Sequence, residues 1–214
     1  MSDLPSEVLA TARAMNACGI NRGAAGNVSA RCEGGFLITP TGMAYDECSS
    51  EDIVKVGAGG TAQGCRKPSS EWRFHRDIYA ARPEAGAIVH THSPFATSLA
   101  CQAIEIPAFH YMIARFGGDT LRCAGYATFG SQELSDAILI ALKDRRACLM
   151  AHHGMVVFGS DLKEALALAI ELESLCEQYW RVLQLGAPKI LGREEMTHVL
   201  DKFKDYGRQT PLDK

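Results

Sequence analysis

The sequence predicts one domain of mixed α/β class, and three observations carry that expectation. A β-type run, Ala87-Ile88-Val89-His90-Thr91-His92, follows closely on a stretch of helical periodicity over 71–82. Residues 161–185 keep an apolar stripe at helical spacing and form the longest predicted helix. No internal repeat or low-complexity linker divides the chain, so a single unit over residues 1–214 is expected.

The elements follow in order. Helix 6–18 places Val8, Ala12, Met15 and Cys18 on one stripe, and Gly19 is a natural stop. The small-residue loop 21–27 leads into a strand at 28–31; a second strand, 36–39, enters the polar turn Pro40-Thr41-Gly42. Residues 50–56 read as a helical turn running into a strand. Gly57 to Gly64 is a flexible hairpin tip without the spacing of a nucleotide-binding loop. Lys67-Pro68-Ser69-Ser70 can cap the next helix, with Glu71 in its first turn, where a carboxylate suits the positive end of the dipole. Trp72, Arg76 and Tyr79 recur at helical spacing, and Arg82-Pro83 closes the segment. After the strand at 87–92, Ser93-Pro94 starts a short helix over 95–100. Residues 104–116 mix strand and turn signals and support no single element. Ser131 caps a helix to about Asp144 with Leu134, Ile138 and Leu142 inward, and strands at 147–150 and 155–158 flank a histidine pair. On helix 161–185, Leu162, Leu166, Ala169, Leu172, Cys176, Tyr179 and Leu183 face inward, while Glu164, Glu171, Glu173 and Arg181 form a solvated face. A helical segment at 194–206 ends the order.

Composition narrows the function classes. A chain of 214 residues, 47% hydrophobic and 22% charged, is ordinary globular material with room for a large core. A net charge of −3 gives no reason to expect nucleic acid or an acidic membrane surface. No uncharged apolar run approaches the roughly 20 residues that span a bilayer, and Met1-Ser2-Asp3 does not read as a targeting segment. The eight cysteines are dispersed with no C-x-x-C pair, which suits reduced thiols in a cytoplasmic protein.

The chemistry concentrates in a few places. On a strand, His90 and His92 point to the same face as Ile88, with Cβ atoms roughly 6.8 Å apart, a separation from which two imidazoles can converge on one ion. Such a pair alone is more often surface or satisfied core. The second pair, His152-His153, sits between apolar Cys148-Leu149-Met150 and Met155-Val156-Val157-Phe158, where imidazoles are costly to bury without partners. Three imidazoles and a carboxylate suit a zinc-like divalent ion. The turns at 21–27, 40–42 and 69–70 each read singly as ordinary turns, but three such turns favour an anion cradle for phosphate. Tyr111 by itself reads as a core aromatic.

Seven motifs in order, GNVSAR, ITPTGM, KPSSEWRFH, HTHS, IPAFHYMIARFGG, YATFG and AHHG, resemble the class II, zinc-dependent aldolases of the L-fuculose-1-phosphate aldolase type. The resemblance runs from the first helix to DKFKDYG near residue 206. It implies a three-layer α-β-α fold with a central, largely antiparallel sheet, and a homotetramer with active sites at subunit interfaces. It implies one zinc ion per subunit on Glu71, His90, His92 and His153, with His152 in a structural or supporting role. It places the phosphate on Gly26, Asn27, Thr41, Gly42, Ser69 and Ser70, and the catalytic tyrosine at Tyr111, reaching a neighbour's site.

The implied reaction is reversible cleavage of a ketose 1-phosphate such as L-fuculose 1-phosphate to dihydroxyacetone phosphate and a short aldehyde. Tyr111 would serve as acid/base at the C4 oxygen and Glu71 as proton carrier at C3. Phe129, Arg115 and Phe116 are candidates for shaping the aldehyde pocket. Arg115 and Phe116 stand where fuculose enzymes more often have small residues, which makes a 5-deoxy- or 5-methylthioribulose 1-phosphate a rival substrate. A sugar-phosphate 4-epimerase of this fold would typically carry Asp at the position of Glu71. A non-catalytic module resembling the adducin head would lack the four ligands, and a structural zinc would lean on cysteine.

Overall fold

Alternation along the central strands decides the architecture, because successive side chains leave a sheet on opposite faces. The computed structural model of the protein describes residues 3–206; the outermost parts of the expected 1–214 unit, and Met1 and Ser2 of the acidic start, lie outside them. Eight strands, β1 (Asn27–Cys32), β2 (Gly35–Ile38), β3 (Val54–Gly57), β4 (Ala62–Gln63), β5 (Ala87–Thr91), β6 (Cys123–Ala124), β7 (Ala147–Met150) and β8 (Gly154–Gly159), form one sheet. Its order is β4-β3-β2-β1-β5-β8-β7-β6. Every pairing is antiparallel except β6 with β7.

Among the described residues, six α-helices cover both faces. Val28, Ala87, Val89, Leu149 and Val157 pack into a core with α1 (Leu4–Ala17), α3 (Pro94–Ala100) and α5 (Leu162–Leu185), to which α6 (Arg193–Phe203) adds Met196 and Val199. Phe36, Val56, Ile88, Val156 and Phe158 pack on the other side against α2 (Trp72–Ala81) and α4 (Gln132–Ala141). The result is a three-layer α-β-α fold with a largely antiparallel sheet. His90 follows Ile88 to the α2 side, facing the start of that helix.

Local differences from the expected elements have physical causes. The buried face of α2 is Phe74, His75, Ile78 and Tyr79; of the three residues at helical spacing, Trp72 and Arg76 stay half-buried. Trp72 and Arg76 instead stack on each other, with the guanidinium carbon 5.1 Å from the ring centroid, a cation–π pair at i,i+4 spacing. Glu71 is the N-cap residue and its side chain makes no cap, so its carboxylate serves something other than the helix dipole. Residues 104–116 resolve into a bridge between Ile106 and Leu121 and a 3-10 helix over Tyr111–Phe116, with the His110 ring accepting from Met112 N–H. Ser131 caps α4 as expected by accepting from Leu134 N–H.

The acidic residues of α5 are not a bare solvated face. Glu164 pairs with Arg146 at 2.8 Å and Glu171 with Arg115 at 3.4 Å. Glu173 accepts from Ser93 Oγ at 2.7 Å and from the Phe95 and Ala96 N–H groups at 2.8 and 2.9 Å, closing the first turn of α3. Helical periodicity marks these positions as outward but carries no information about a second helix lying beside them. Glu173→Ala is expected to leave two helix-start N–H groups without their acceptor, costing about 1–3 kcal/mol. A urea midpoint equal to that of the unaltered protein would show that water replaces the carboxylate at no cost.

Candidate active site

Three chain segments meet at one end of the sheet. His90 is the fourth residue of β5, His92 lies just past the strand, and His153 closes the turn between β7 and β8. That turn needs a left-handed residue, supplied by His152 at φ 56°. It also needs a glycine next to His153. A Cβ on Gly154 would stand 2.4 Å from Thr91 O and 3.1 Å from His92 Cδ2. Only a residue without a side chain lets the two histidine-bearing segments approach this closely.

The three rings gather around the Glu71 carboxylate. Ring centroids of His90, His92 and His153 are 4.8–4.9 Å apart in every pairing. His90 Nε2 is 3.0 Å from Glu71 Oε2 and 3.1 Å from His92 Nε2, and His153 Nε2 is 3.2 Å from Glu71 Oε1. One donor atom from each of the four residues lies within 4.8 Å of all the others. His90 Nδ1 donates to Met155 O at 2.8 Å, which turns Nε2 toward the cluster.

These residues fit a divalent ion. Glu71 Oε1 is buried and has no hydrogen-bond partner, an arrangement that is costly unless a cation or substrate proton completes it. The donor set of three imidazoles and one carboxylate is the kind that holds zinc-like ions. Among the described residues the cysteines are free thiols, and the gathered donor set includes none of them.

Electrostatics sort the donors. Burial alone would raise the Glu71 carboxyl, but the His90 charge and hydrogen bond, His153 and the Asn27 amide outweigh it and hold it down to about 2. Burial and the charge on His90 push His92 and His153 down to about 4. Burial pulls His90 down too, but the Glu71 carboxylate beside it wins and its pKa is raised. The sign of the pH effect follows. His90 holds a proton below its raised pKa, and an ion needs that nitrogen bare, so metal affinity falls as pH drops through that value. His92 and His153 are already neutral there and add no penalty. Zinc binding is therefore expected to release up to about one proton per site. Calorimetry in two buffers of different ionisation enthalpy reads this directly; identical heats in both would overturn it.

The three polar turns lie beside the cluster. The 39–42 and 67–70 turns are joined by Thr41 N–H to Lys67 O at 3.1 Å and Ser69 N–H to Thr39 O at 3.0 Å. Thr41, Gly42 and Ser70 are exposed, whereas Gly26, Asn27 and Ser69 are buried. A Cβ on Gly26 would stand 2.3 Å from His90 O, so the first turn lies directly against β5. The Asn27 side chain is already committed within the site: Nδ2 donates to Glu71 Oε2 at 3.0 Å and Oδ1 lies 2.5 Å from His75 Nε2.

A cavity of about 270 Å³ opens over the cluster, lined by Ser70, Glu71, His92 and His153 together with Tyr126, Phe129 and His152. His152 is exposed rather than buried between the apolar runs, and its ring meets Tyr126 edge-on at 5.8 Å. Phe129, 66% exposed, has an open face toward this space. Phe116 is fully buried in the core and Arg115 is paired with Glu171, so within one chain neither shapes the pocket.

Tyr111 is not brought to the cluster within one chain. It is 50% exposed, not a core aromatic, and lines a separate cavity of about 600 Å³ with Phe203 and Tyr206. Sequence reasoning missed His75, Ser29 and Tyr79, which lie buried behind Asn27. The signal available was the buried periodicity of α2, which puts His75 and Tyr79 on one face.

Comparison with known proteins agrees with this geometry. The family described as Class II Aldolase and Adducin N-terminal domain matches residues 6–180. The chain is 53% identical over 201 residues to a 5-methylthioribulose-1-phosphate/5-deoxyribulose-1-phosphate aldolase of Rhodospirillum rubrum, covering 94% of this chain and 91% of that protein. It is 44% identical over 205 residues to an L-fuculose phosphate aldolase of Escherichia coli K12, covering 95% of each. A solved L-fuculose 1-phosphate aldolase superposes with a TM-score of 0.92 at 35% identity, covering 95% of this chain and 97% of the other.

Proposed function

Because the chain belongs to the class II aldolase and adducin N-terminal domain family and is a metal-dependent aldolase of the L-fuculose-1-phosphate aldolase type, we propose that it cleaves a 5-deoxy- or 5-methylthioribulose 1-phosphate. The products are dihydroxyacetone phosphate and a short apolar aldehyde. The observation that carries this reading is the pocket itself: Glu71, His92 and His153 of the donor set and Ser70 of a polar turn share its lining with exposed Tyr126 and Phe129. An aromatic wall suits an aldehyde ending in methyl or methylthio more than one bearing a further hydroxyl. The 53% identity to the Rhodospirillum protein supports the same choice over L-fuculose 1-phosphate.

Glu71, His90, His92 and His153 would hold a zinc ion, which when bound would supply a Lewis acid for the charge that builds as C3–C4 breaks. The three turns hold the phosphate. Thr41 and Ser70 offer exposed hydroxyls, and Ser69 accepts from Glu71 N–H at 3.3 Å while keeping its own proton to donate. Gly26, Asn27 and Gly42 contribute main chain rather than side chains. Tyr111 in its phenolate form takes the C4 hydroxyl proton as the C4 oxygen becomes the aldehyde and returns it to solvent. Glu71 takes up one solvent proton and passes it to C3, so both groups end as they began and the proton count balances. Oε1, which makes no hydrogen bond and is approached by the His153 ring at 3.2 Å, suits Glu71 to that task.

Tyr111 serves the site of a neighbouring subunit in a homotetramer. Its exposure away from its own cluster supports this, as do the exposed apolar side chains Trp180, Leu185 and Ile190. The whole chain forms one domain, supported by one sheet with helices from both ends packed on it. The protein works in the cytoplasm on a small sugar phosphate, without nucleic acid or membrane. No helix among the described residues is long and apolar enough to cross a bilayer.

A screen of ketose 1-phosphates differing only beyond C4 tests the substrate. An apolar terminus filling an apolar pocket is expected to raise kcat/KM about 10–200-fold over L-fuculose 1-phosphate. Equal or better turnover of the fuculose substrate would refute the assignment.

A further inference from the structure

Behind Glu71 runs a fully internal hydrogen-bonded chain that the reaction as described does not use. Tyr79 OH and Ser29 Oγ are 2.8 Å apart, Ser29 Oγ and His75 Nδ1 2.7 Å, His75 Nε2 and Asn27 Oδ1 2.5 Å, and Asn27 Nδ2 and Glu71 Oε2 3.0 Å. Ser29 and His75 are completely buried, and Asn27, Glu71 and Tyr79 are nearly so. Two elements are joined: β1 through Asn27 and Ser29, and α2 through Glu71 at its cap, His75 one turn on, and Tyr79 a turn further.

Donor chemistry leaves this chain one direction. The ionised Glu71 carboxylate can only accept, so Asn27 presents its NH2 group to it and its carbonyl oxygen to His75. A carbonyl also only accepts, so His75 Nε2 carries the hydrogen. Burial keeps the His75 ring neutral, its pKa pushed down to about 3, so Nδ1 is a bare acceptor and the Ser29 hydroxyl donates to it. Ser29 has then spent its hydrogen, and Tyr79 donates to it. Every hydrogen points toward Glu71.

We infer that His75 is a positioning residue for Glu71: held as the Nε2–H tautomer, it locks the Asn27 amide with its N–H toward Oε2 and so leaves Oε1 as the carboxylate's open atom. Rotating that amide by half a turn would set a carbonyl against a carboxylate and an NH2 against an N–H, two buried mismatches at once. Phe36, Phe74 and the strand face around His75 provide no other donor to the Asn27 oxygen among the hydrogen bonds of this region. This inference rests on the Glu71 site proposed above, so its test includes a readout independent of that site's activity.

The test compares His75→Phe with His75→Gln. Glutamine can place an N–H near the position of Nε2, whereas phenylalanine fills the space with no donor. Zinc affinity is measured on the metal-stripped proteins, without substrate, by competition with a chromophoric chelator. Loss of a group that orients a ligand typically weakens metal binding about 10–100-fold, and that loss is expected for His75→Phe, with recovery to within about 3-fold of the unaltered protein in His75→Gln. A purely structural role would lower the melting temperature of both variants and weaken zinc binding alike in both; that outcome, or unchanged affinity in His75→Phe, overturns the inference. Long-range 15N–1H correlation on the unaltered, metal-free protein gives a second reading that needs no variant. The His75 ring is expected as the Nε2–H tautomer, and an Nδ1–H tautomer overturns the inference even if His75→Phe fails to fold. Failure of the unaltered protein to bind zinc would instead refute the metal site, leaving the tautomer to decide the role of His75.

Discussion

His90→Ala is expected to abolish metal binding and to lower kcat by about 10³-fold or more, the several kcal/mol that a bound metal contributes to such a reaction. No other donor is as central. Its Nε2 is within 3.0 Å of Glu71 and 3.1 Å of His92, and its ring is 4.9 Å from that of His153. It is also completely buried, with Nδ1 tied to Met155 O, so neither rotation nor water can replace it. Removing it leaves the Glu71 carboxylate facing two neutral rings without its main counter-charge. Metal analysis of the purified variant and a coupled assay for dihydroxyacetone phosphate measure both effects. His152→Ala is the matched control, because that ring is exposed and outside the donor set. An ion retained in His90→Ala at full stoichiometry, or an ion lost in His152→Ala, would mean that the wrong histidines have been paired.

Tyr111→Phe is expected to lower kcat by about 10²–10⁴-fold, the range for removing a general acid/base, while metal content and thermal stability stay unchanged. The reason for unchanged stability is the site of the side chain: half exposed, next to His110 and stacked 6.4 Å from Phe203, at the mouth of a cavity rather than in the core. Mixing Tyr111→Phe with His90→Ala chains provides the sharper measurement. If the tyrosine acts on a neighbour's site, mixed oligomers contain intact composite sites and regain activity that neither variant has alone. Absence of any recovery after confirmed mixing would return Tyr111 to its own chain, and full activity of Tyr111→Phe would remove it from the reaction.

Much of the fold is legible in the residues themselves, since helix and strand periods are local properties. The strand carrying His90, the helix capped by Ser131 and the long α5 all occupy the expected stretches. The failures share one cause. The true inward face of α2 depends on which side meets the sheet, so Trp72 and Arg76 could satisfy each other outside while Phe74 and His75 went in. Glu173 looked like a surface charge because the N–H groups it accepts from belong to residues 77 and 78 positions away. Tyr111 and Phe116 sit five positions apart in one apolar segment, yet the 3-10 helix turns one toward solvent and the other into the core.

The order of residues was sufficient to name the donors as types: a histidine strand, a second histidine pair, a carboxylate at a helix start and three polar turns. Tertiary structure alone decided how they are used. The resemblance already favoured His153 over His152, but its approach to the carboxylate depends on one left-handed residue in a hairpin turn, and the orientation of Asn27 depends on contacts reaching 44 and 48 positions along the chain. Chain period cannot encode such contacts, because they form only after the sheet has brought β1, β5 and the start of α2 together, where a buried hydrogen bond has no water to take its place.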